Sequence, residues 1–269
     1  MQRLLFLLTA LLVGFASPAY ADPMAGLSKQ ERADTLRFAI NNSLFTLYHE
    51  VGHLLIDKLK LPLLGREEDA ADNIATWIML QKGTPEANEA LEDAAHGWMM
   101  TGMIYGSDYD DDDYAAGYTP DRHRSMQIVC MMVGADGSAF RRVANSFSME
   151  PDRQQTCHFD YEVIDRSIRG LLENSGSGTR VDVQYHESGL GLKLAERVFR
   201  HSGIFDTVAE EVRRGYKLSG RVKFSAKRCG EPNAFYDPET TEVIFCYELV
   251  QDFLELYVDE LPSIRGRPD

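Results

Sequence analysis

Two histidines, His49 and His53, stand four residues apart inside a long helical pattern in which Leu36, Ile40, Leu44, Leu47, Val51, Leu54 and Leu55 recur at helical spacing. This combination constrains the fold more than any other feature of the chain. Residues i and i+4 project from one face of a helix, so both imidazoles can reach one point while the leucines face a core. Ser28-Lys29-Gln30-Glu31 reads as a capping box that starts this helix. The pattern runs to about Lys60, with Asn41-Asn42 as a place where it can break, and Pro62 and Gly65 then turn the chain.

The five residues His49-Glu50-Val51-Gly52-His53 form an HExxH motif. Neutral imidazole nitrogens suit Zn²⁺. Glu50, beside the first histidine, is placed to take a proton from a zinc-bound water and later to pass it to a leaving amine. The bland alternative is an amphipathic helix with two surface histidines, since short motifs recur by chance.

A catalytic zinc takes three protein ligands and leaves one position open. The next helical segment, Arg66 to Gln81, begins Arg66-Glu67-Glu68-Asp69-Ala70-Ala71-Asp72. Folded back antiparallel, it brings its first turns near the histidines, and Ala70 and Ala71 are small enough for close approach. Glu68 is the expected third ligand and Glu67 its competitor. Asp72, one turn after Glu68, is placed to accept the distal N–H of a ligating histidine. Part of this acidity simply complements the helix dipole.

The N-terminus reads as an export signal. Met1-Gln2-Arg3 is basic, Leu4 to Phe15 is apolar, and Ala19-Tyr20-Ala21 is a small-x-small cleavage site, so residues 1–21 are expected to leave a mature chain starting near Asp22. The apolar run is short for a bilayer span, and no lipoprotein cysteine follows it, so no stable membrane anchor is expected after cleavage. In an oxidising compartment, periplasmic or extracellular, four cysteines suggest two disulfides. Cys130–Cys157 with Cys229–Cys246 is the most local of three pairings, and each bridge would contribute about 3–4 kcal/mol by constraining the unfolded chain. No CxxC occurs, which argues against a cysteine zinc site. The net charge of −14 disfavours nucleic acid as a partner.

Further helices are expected at Glu86 to Tyr105, Asp121 to Val133, Asp152–Glu173, Leu190–Arg214 and Glu248 to Leu261. Strands are expected at Arg180–His186, Arg221–Ala226 and Thr241–Tyr247, the last two joined by turn residues that include Gly230-Glu231-Pro232-Asn233 and Asp237-Pro238. Residues 22–269 read as one predominantly helical α+β domain with a small sheet, and Asn174 to Gly178 is the best candidate boundary inside it. The acidic cluster Asp108–Asp113 lacks EF-hand spacing and reads as a solvated loop. His123 and Tyr236 are candidate donors to an oxyanion. His96, His158, His186 and His201 read as packing or surface residues, and the methionine groups as core.

Phe45 to His53, Leu61 to Asp72, Cys229 to Pro238 and Cys246 to Leu249 together resemble an uncharacterised bacterial metallopeptidase family of gluzincin-like type. The resemblance covers most of the mature chain. It implies a zincin-like core in which HExxH is followed by a glutamate in an E-x-x-A-D run, and Glu68-Asp69-Ala70-Ala71-Asp72 matches that run. Such folds place a sheet before the metal helix, but only a short segment precedes it here. The expectation is therefore that Arg221–Ala226 and Thr241–Tyr247 supply the sheet by folding back.

The expected activity is hydrolysis of a peptide or protein substrate, with His49, His53 and Glu68 holding Zn²⁺, Glu50 as base and Asp72 behind. The rivals are an exported zinc-binding scaffold or interaction protein without peptidase activity, and a hydrolase of a non-peptide amide. Oligomeric state is not legible.

Overall fold

The computed structural model describes residues 22–104, 119–172 and 176–265. The expected signal segment 1–21, the acidic cluster 108–113 and residues 174–175 of the expected boundary lie outside the described residues.

Helix α1, Lys29–Leu59, is the axis of the molecule. Its start is the capping box: Ser28 Oγ accepts from the Glu31 amide at 3.2 Å, and the Ser28 amide donates to the Glu31 carboxylate at 2.9 Å. Its end is Lys60 in the left-handed region, just before Pro62. The helix does not break at Asn41-Asn42. Asn42 Nδ2 donates to Phe38 O at 2.9 Å and Asp93 O at 3.1 Å, and Asn41 Nδ2 donates to Asp93 Oδ2 at 2.7 Å. Asp93 of α3 takes up Asn41 and shares Asn42 with the Phe38 carbonyl one turn back, so the helix continues through both.

Helices α2, Glu67–Lys82, and α3, Pro85–Ile104, pack against α1. Phe45, Leu47, Leu54, Leu55, Met79 and Leu91 are fully buried among them. Burial stabilises by about 1.5–3 kcal/mol for each such side chain. Helices α4, Asp121–Ala135, and α6, Pro151–Leu172, cover α2 and α3. The Cys130–Cys157 disulfide staples these two helices together. A short α5, Arg141–Ser146, lies between them where the sequence carries no periodic run long enough to announce it.

The sheet has the order β1-β2-β4-β3. Strands β1 (Arg180–Tyr185), β2 (Arg221–Lys227) and β4 (Glu242–Cys246) are parallel, and β3 (Ala234–Asp237) joins β4 antiparallel at the edge. The expected helical stretch Leu190–Arg214 is instead a 3-10 turn, Leu190–Leu192, followed by α7, Lys193–Ser202, and α8, Ile204–Gly215. Gly203 adopts φ 70°, a conformation that ends one helix before the next begins. Helix α9, Tyr247–Arg265, leaves β4 directly and packs on α1, where the Phe38 and Tyr257 rings lie 4.9 Å apart.

Of the two late strands expected to fold back, β4 meets α1, and the unexpected β3 meets it beside β4. Tyr236 on β3 donates its hydroxyl to Asp57 Oδ2 at 2.7 Å, one helical turn beyond His53. The turn residues around Asn233 and Asp237 had hidden β3, which is only four residues long. The Cys229–Cys246 disulfide closes the segment that carries it.

Helices α1 and α2 approach closely at Gly52. A Cβ there would lie 2.9 Å from Ala71 Cα and 3.0 Å from Ala71 O. Backbone cannot retreat as a flexible side chain can, so α1 and α2 touch at this point only because Gly52 has no side chain. Gly52→Ala is expected to destabilise the protein by about 1–3 kcal/mol, read as a lower denaturant midpoint. An unchanged midpoint would show that the helices are not in contact there.

Candidate metal centre

The contact at Gly52 sets the first turn of α2 over the histidine face of α1. His49 and His53 point their Nε2 atoms at one another, 3.1 Å apart. The Glu68 carboxylate meets both, with Oε2 3.2 Å from His49 Nε2 and Oε1 3.6 Å from His53 Nε2. One ligand atom from each of the three residues lies within 4.8 Å of the other two, so the group could hold a metal ion.

Each imidazole is oriented from behind. His49 Nδ1 lies 2.8 Å from Asp72 Oδ1, and His53 Nδ1 lies 2.9 Å from Glu67 Oε1. A carboxylate on Nδ1 favours the tautomer that keeps the proton there and leaves the Nε2 lone pair free. The two rival carboxylates are thus separated by position: Glu68 faces the Nε2 pair, while Glu67 serves the far side of His53.

This group opens onto a cleft of about 850 Å³ walled by α1, α2, α3, α4, α9 and β3. Glu50 lines it and is buried. The Tyr236 amide of β3 faces its carboxylate and favours the ionised form. Cys246 N donates to Asn233 O in the β3–β4 pair. Backbone groups of alternate residues, Ala234 and Tyr236, therefore point away from β4. The open edge of the sheet runs along the cleft.

The match to a described protein family spans residues 18–172 and 190–262. The chain belongs to the DUF4344 family, described as "Putative metallopeptidase". Neither curated proteins nor solved structures give a match to it.

Membership implies a metal ion, and the donor set suits one: two imidazole nitrogens and a carboxylate oxygen, converging at one cleft wall. The charges around it are arranged accordingly. Burial opposes protonation of His49, yet its hydrogen bonds to Asp72 and Glu68 outweigh this and raise its pKa to about 9 in the metal-free protein. Hydrogen bonds from the two histidines hold the Glu68 carboxyl far below the usual carboxylate range. Burial pushes the Glu50 carboxyl up, although the neighbouring histidines pull the other way.

His123 is exposed on α4 and is not among the residues lining the cleft. Its neighbour Arg124, about 100° further round the helix, points inward. Arg124 Nε and Nη2 each donate to Asp72 at 2.7 Å, a bidentate pair, and the guanidinium stacks 3.6 Å from the Trp98 ring centroid. Burial alone would raise the Asp72 carboxyl, but Arg124 and His49 hold it below its ordinary value. The chain Arg124–Asp72–His49 was not legible in sequence, where Arg122 and Arg124 look alike. The remaining histidines His96, His158, His186 and His201 do not line the cleft.

Removing one partner of a buried ion pair costs about 3–5 kcal/mol, because the other charge is left uncompensated. Arg124→Gln and Asp72→Asn are each expected to weaken metal binding by about 10–100-fold, measured by competition with a chromophoric chelator. Unchanged affinity would mean that the pair does not orient His49. The raised His49 pKa predicts a second effect. Its folded value of about 9 exceeds the unfolded value of about 6.5. The metal-free protein therefore has this stabilisation in full below about pH 6.5 and loses it as pH rises through about 9. Thermal unfolding of chelator-treated protein across that window checks the sign, with His49→Ala as the variant that should flatten it.

Proposed function

We propose that this chain is an exported zinc peptidase with a zincin-like core of gluzincin type, made from residues 22–269 after removal of a signal peptide. The single observation that carries the reading is the convergence of His49, His53 and Glu68 beside buried Glu50 in a cleft edged by an open strand. Two disulfides fit an oxidising destination, periplasmic or extracellular. No described helix is long and apolar enough to cross a membrane.

In this reading His49, His53 and Glu68 hold the ion, and Asp72 and Glu67 fix the imidazoles. A zinc ion held there supplies Lewis acidity towards a water molecule and the substrate carbonyl. Glu50 takes the water's proton. Burial raises its carboxyl pKa, so it also retains that proton long enough to deliver it to the leaving amine. A substrate strand pairs with the outward edge of β3 in the manner of β-augmentation, which lays the scissile bond along the cleft. This pairing requires the Tyr236 amide, which faces Glu50, to turn to the substrate or to serve both. Arg124 is the one Lys or Arg among the described residues lining the cleft, and we assign it, rather than His123, to the negative charge that develops on the carbonyl oxygen.

Three protein donors would leave a zinc ion held there open to water or substrate, unlike a closed structural site. A scaffold protein would need neither the buried Glu50 nor the open strand edge beside it.

Glu50→Gln is expected to keep about one zinc per chain and to lower peptide cleavage by about 10²–10⁴-fold. Zinc analysis and cleavage of a mixed peptide library, with and without chelator, read both. Bound zinc with no hydrolysis by the wild type would favour the scaffold reading. Hydrolysis confined to non-peptide amides would move the activity to another substrate.

A further inference from the structure

The two tryptophans of the chain are satisfied differently. Trp77 of α2 donates its indole N–H to Asp165 Oδ1 of α6 at 2.8 Å. Trp98 of α3 is half-buried and lines the cleft, yet its N–H has no acceptor among the described residues. No buried side-chain nitrogen or oxygen of the described residues lacks a partner, so the Trp98 N–H reaches solvent. A tryptophan that serves packing alone finds an acceptor for its N–H, as Trp77 does. An indole with an apolar body in the wall and a wet polar edge has the form of a recognition residue.

Observed contacts tie this ring to the metal group. The Arg124 guanidinium lies 3.6 Å from the Trp98 ring centroid, and Arg124 Nη2 lies 3.4 Å from His49 Nδ1. One side chain therefore separates the indole from a metal-binding imidazole, and its bond to Asp72 fixes that side chain. On the other side, Asn42 Nδ2 donates to Asp93 O at 3.1 Å, and a Cβ on Gly97 would collide with Asn42 Oδ1. Helix α3 thus lies against α1 immediately before Trp98. Phe45 follows Asn42 by three residues and precedes His49 by one turn on the same face, and it lines the cleft. On α9, Tyr257 meets Phe38 with ring centroids 4.9 Å apart, and Phe253 and Leu249, one and two turns back, line the cleft beside Phe45. Both are half-buried, so they present apolar area to it. Asp252 of the same wall is exposed to solvent.

We propose that Trp98 determines specificity: with Phe45, Leu249 and Phe253 it seats an aromatic or large aliphatic side chain of the substrate, one or two residues from the bond to be cut. The inference rests on the peptidase reading above and adds the substrate class. Residues one turn apart on a helix face stand about 6 Å apart, which places the seat beside His49. An extended peptide advances about 3.3 Å per residue, so the seat is reached from the first or second residue flanking the bond. Seating an apolar side chain there removes water from both partners. Arg124 braces the ring from one face, so the seat is formed before substrate arrives.

The experiment uses two N-acetylated, C-amidated alanine peptides that carry either leucine or serine at the centre. The zinc-loaded wild type is expected to cleave the leucine peptide at least about tenfold better in kcat/KM. Trp98→Ala should bring that ratio to within about threefold of one, and Trp98→Phe, which restores an apolar ring, should recover most of it. The ratio is taken within one variant, so lost zinc or a displaced Arg124 lowers both rates and leaves it unmoved, whereas loss of the seat does not. Phe253→Ala leaves the Arg124–Trp98 stack in place and should also lower the ratio; it decides the matter if Trp98→Ala does not fold. Calorimetric binding of the same peptides to zinc-loaded Glu50→Gln protein gives a readout without turnover. Equal cleavage of the two peptides by the wild type, or a preference that survives Trp98→Ala, overturns the inference and leaves the peptidase reading intact. If neither peptide is cleaved, the peptidase reading fails and the binding arm still decides this one: tighter binding of the leucine peptide, abolished by adding Trp98→Ala, supports it, and equal binding overturns it.

Discussion

Everything at the metal centre depends on how closely α1 and α2 approach at Gly52 and Ala71. With Cβ space of 2.9 Å at that point, any side chain larger than hydrogen at position 52 would push the helices apart. Glu68 lies only three residues from Ala71 and Asp72 only one, so a displacement of an ångström there is a displacement of the same size at the imidazoles. Gly52 is therefore part of the site although it bears no chemistry. The short Lys60–Arg66 connection serves the same end, returning the chain so that consecutive helices lie side by side.

Around this contact the polar groups are ordered by what each must satisfy. The two histidines use both ring nitrogens: Nδ1 toward Asp72 or Glu67, Nε2 toward Glu68 and each other. Asp72 would be costly to bury ionised on its own, and Arg124 compensates it through a bidentate bond while the guanidinium face rests on Trp98. That arrangement couples α2, α3 and α4 to one imidazole. A buried pair of this kind is weak evidence for stability, but it fixes geometry, and the site needs geometry.

The sheet supplies the other wall. It arrives late in the chain, and it reaches α1 chiefly through β3, the edge strand, with β4 beside it. The Cys229–Cys246 disulfide, together with the Glu248 carboxylate accepting from the Cys229 and Gly230 amides, holds the start of this segment against the beginning of α9. A four-residue strand has little pairing of its own to hold it. The disulfide and the Tyr236–Asp57 bond supply what its length does not.

Local chemistry decided a good deal by itself. The capping box fixes where α1 begins, and the spacing of His49 and His53 on a continuous apolar pattern places both imidazoles on one face whatever the rest of the chain does. Pro62 and Gly65 end that helix, and the run from Glu67 to Asp72 gives α2 carboxylates at helical spacing. Most of the helical and strand segments follow from equally local signals, but the split of Leu190–Arg214 into two helices, the short α5 and β3, and the run of α9 on to Arg265 do not. Tertiary structure decided the rest. Glu67 and Glu68 are adjacent and chemically alike, and only the packing angle of α2 on α1 sends one to the Nε2 pair and the other behind His53. Arg124 and its neighbours carry no sequence signal that separates the inward charge from the outward ones. The unbroken course of α1 past Asn41-Asn42 depends on Asp93, which is some fifty residues away. A sequence pattern determines which face a residue occupies on its own element. Which partner that face meets depends on contacts between elements far apart in the chain, and these exist only once the core has formed.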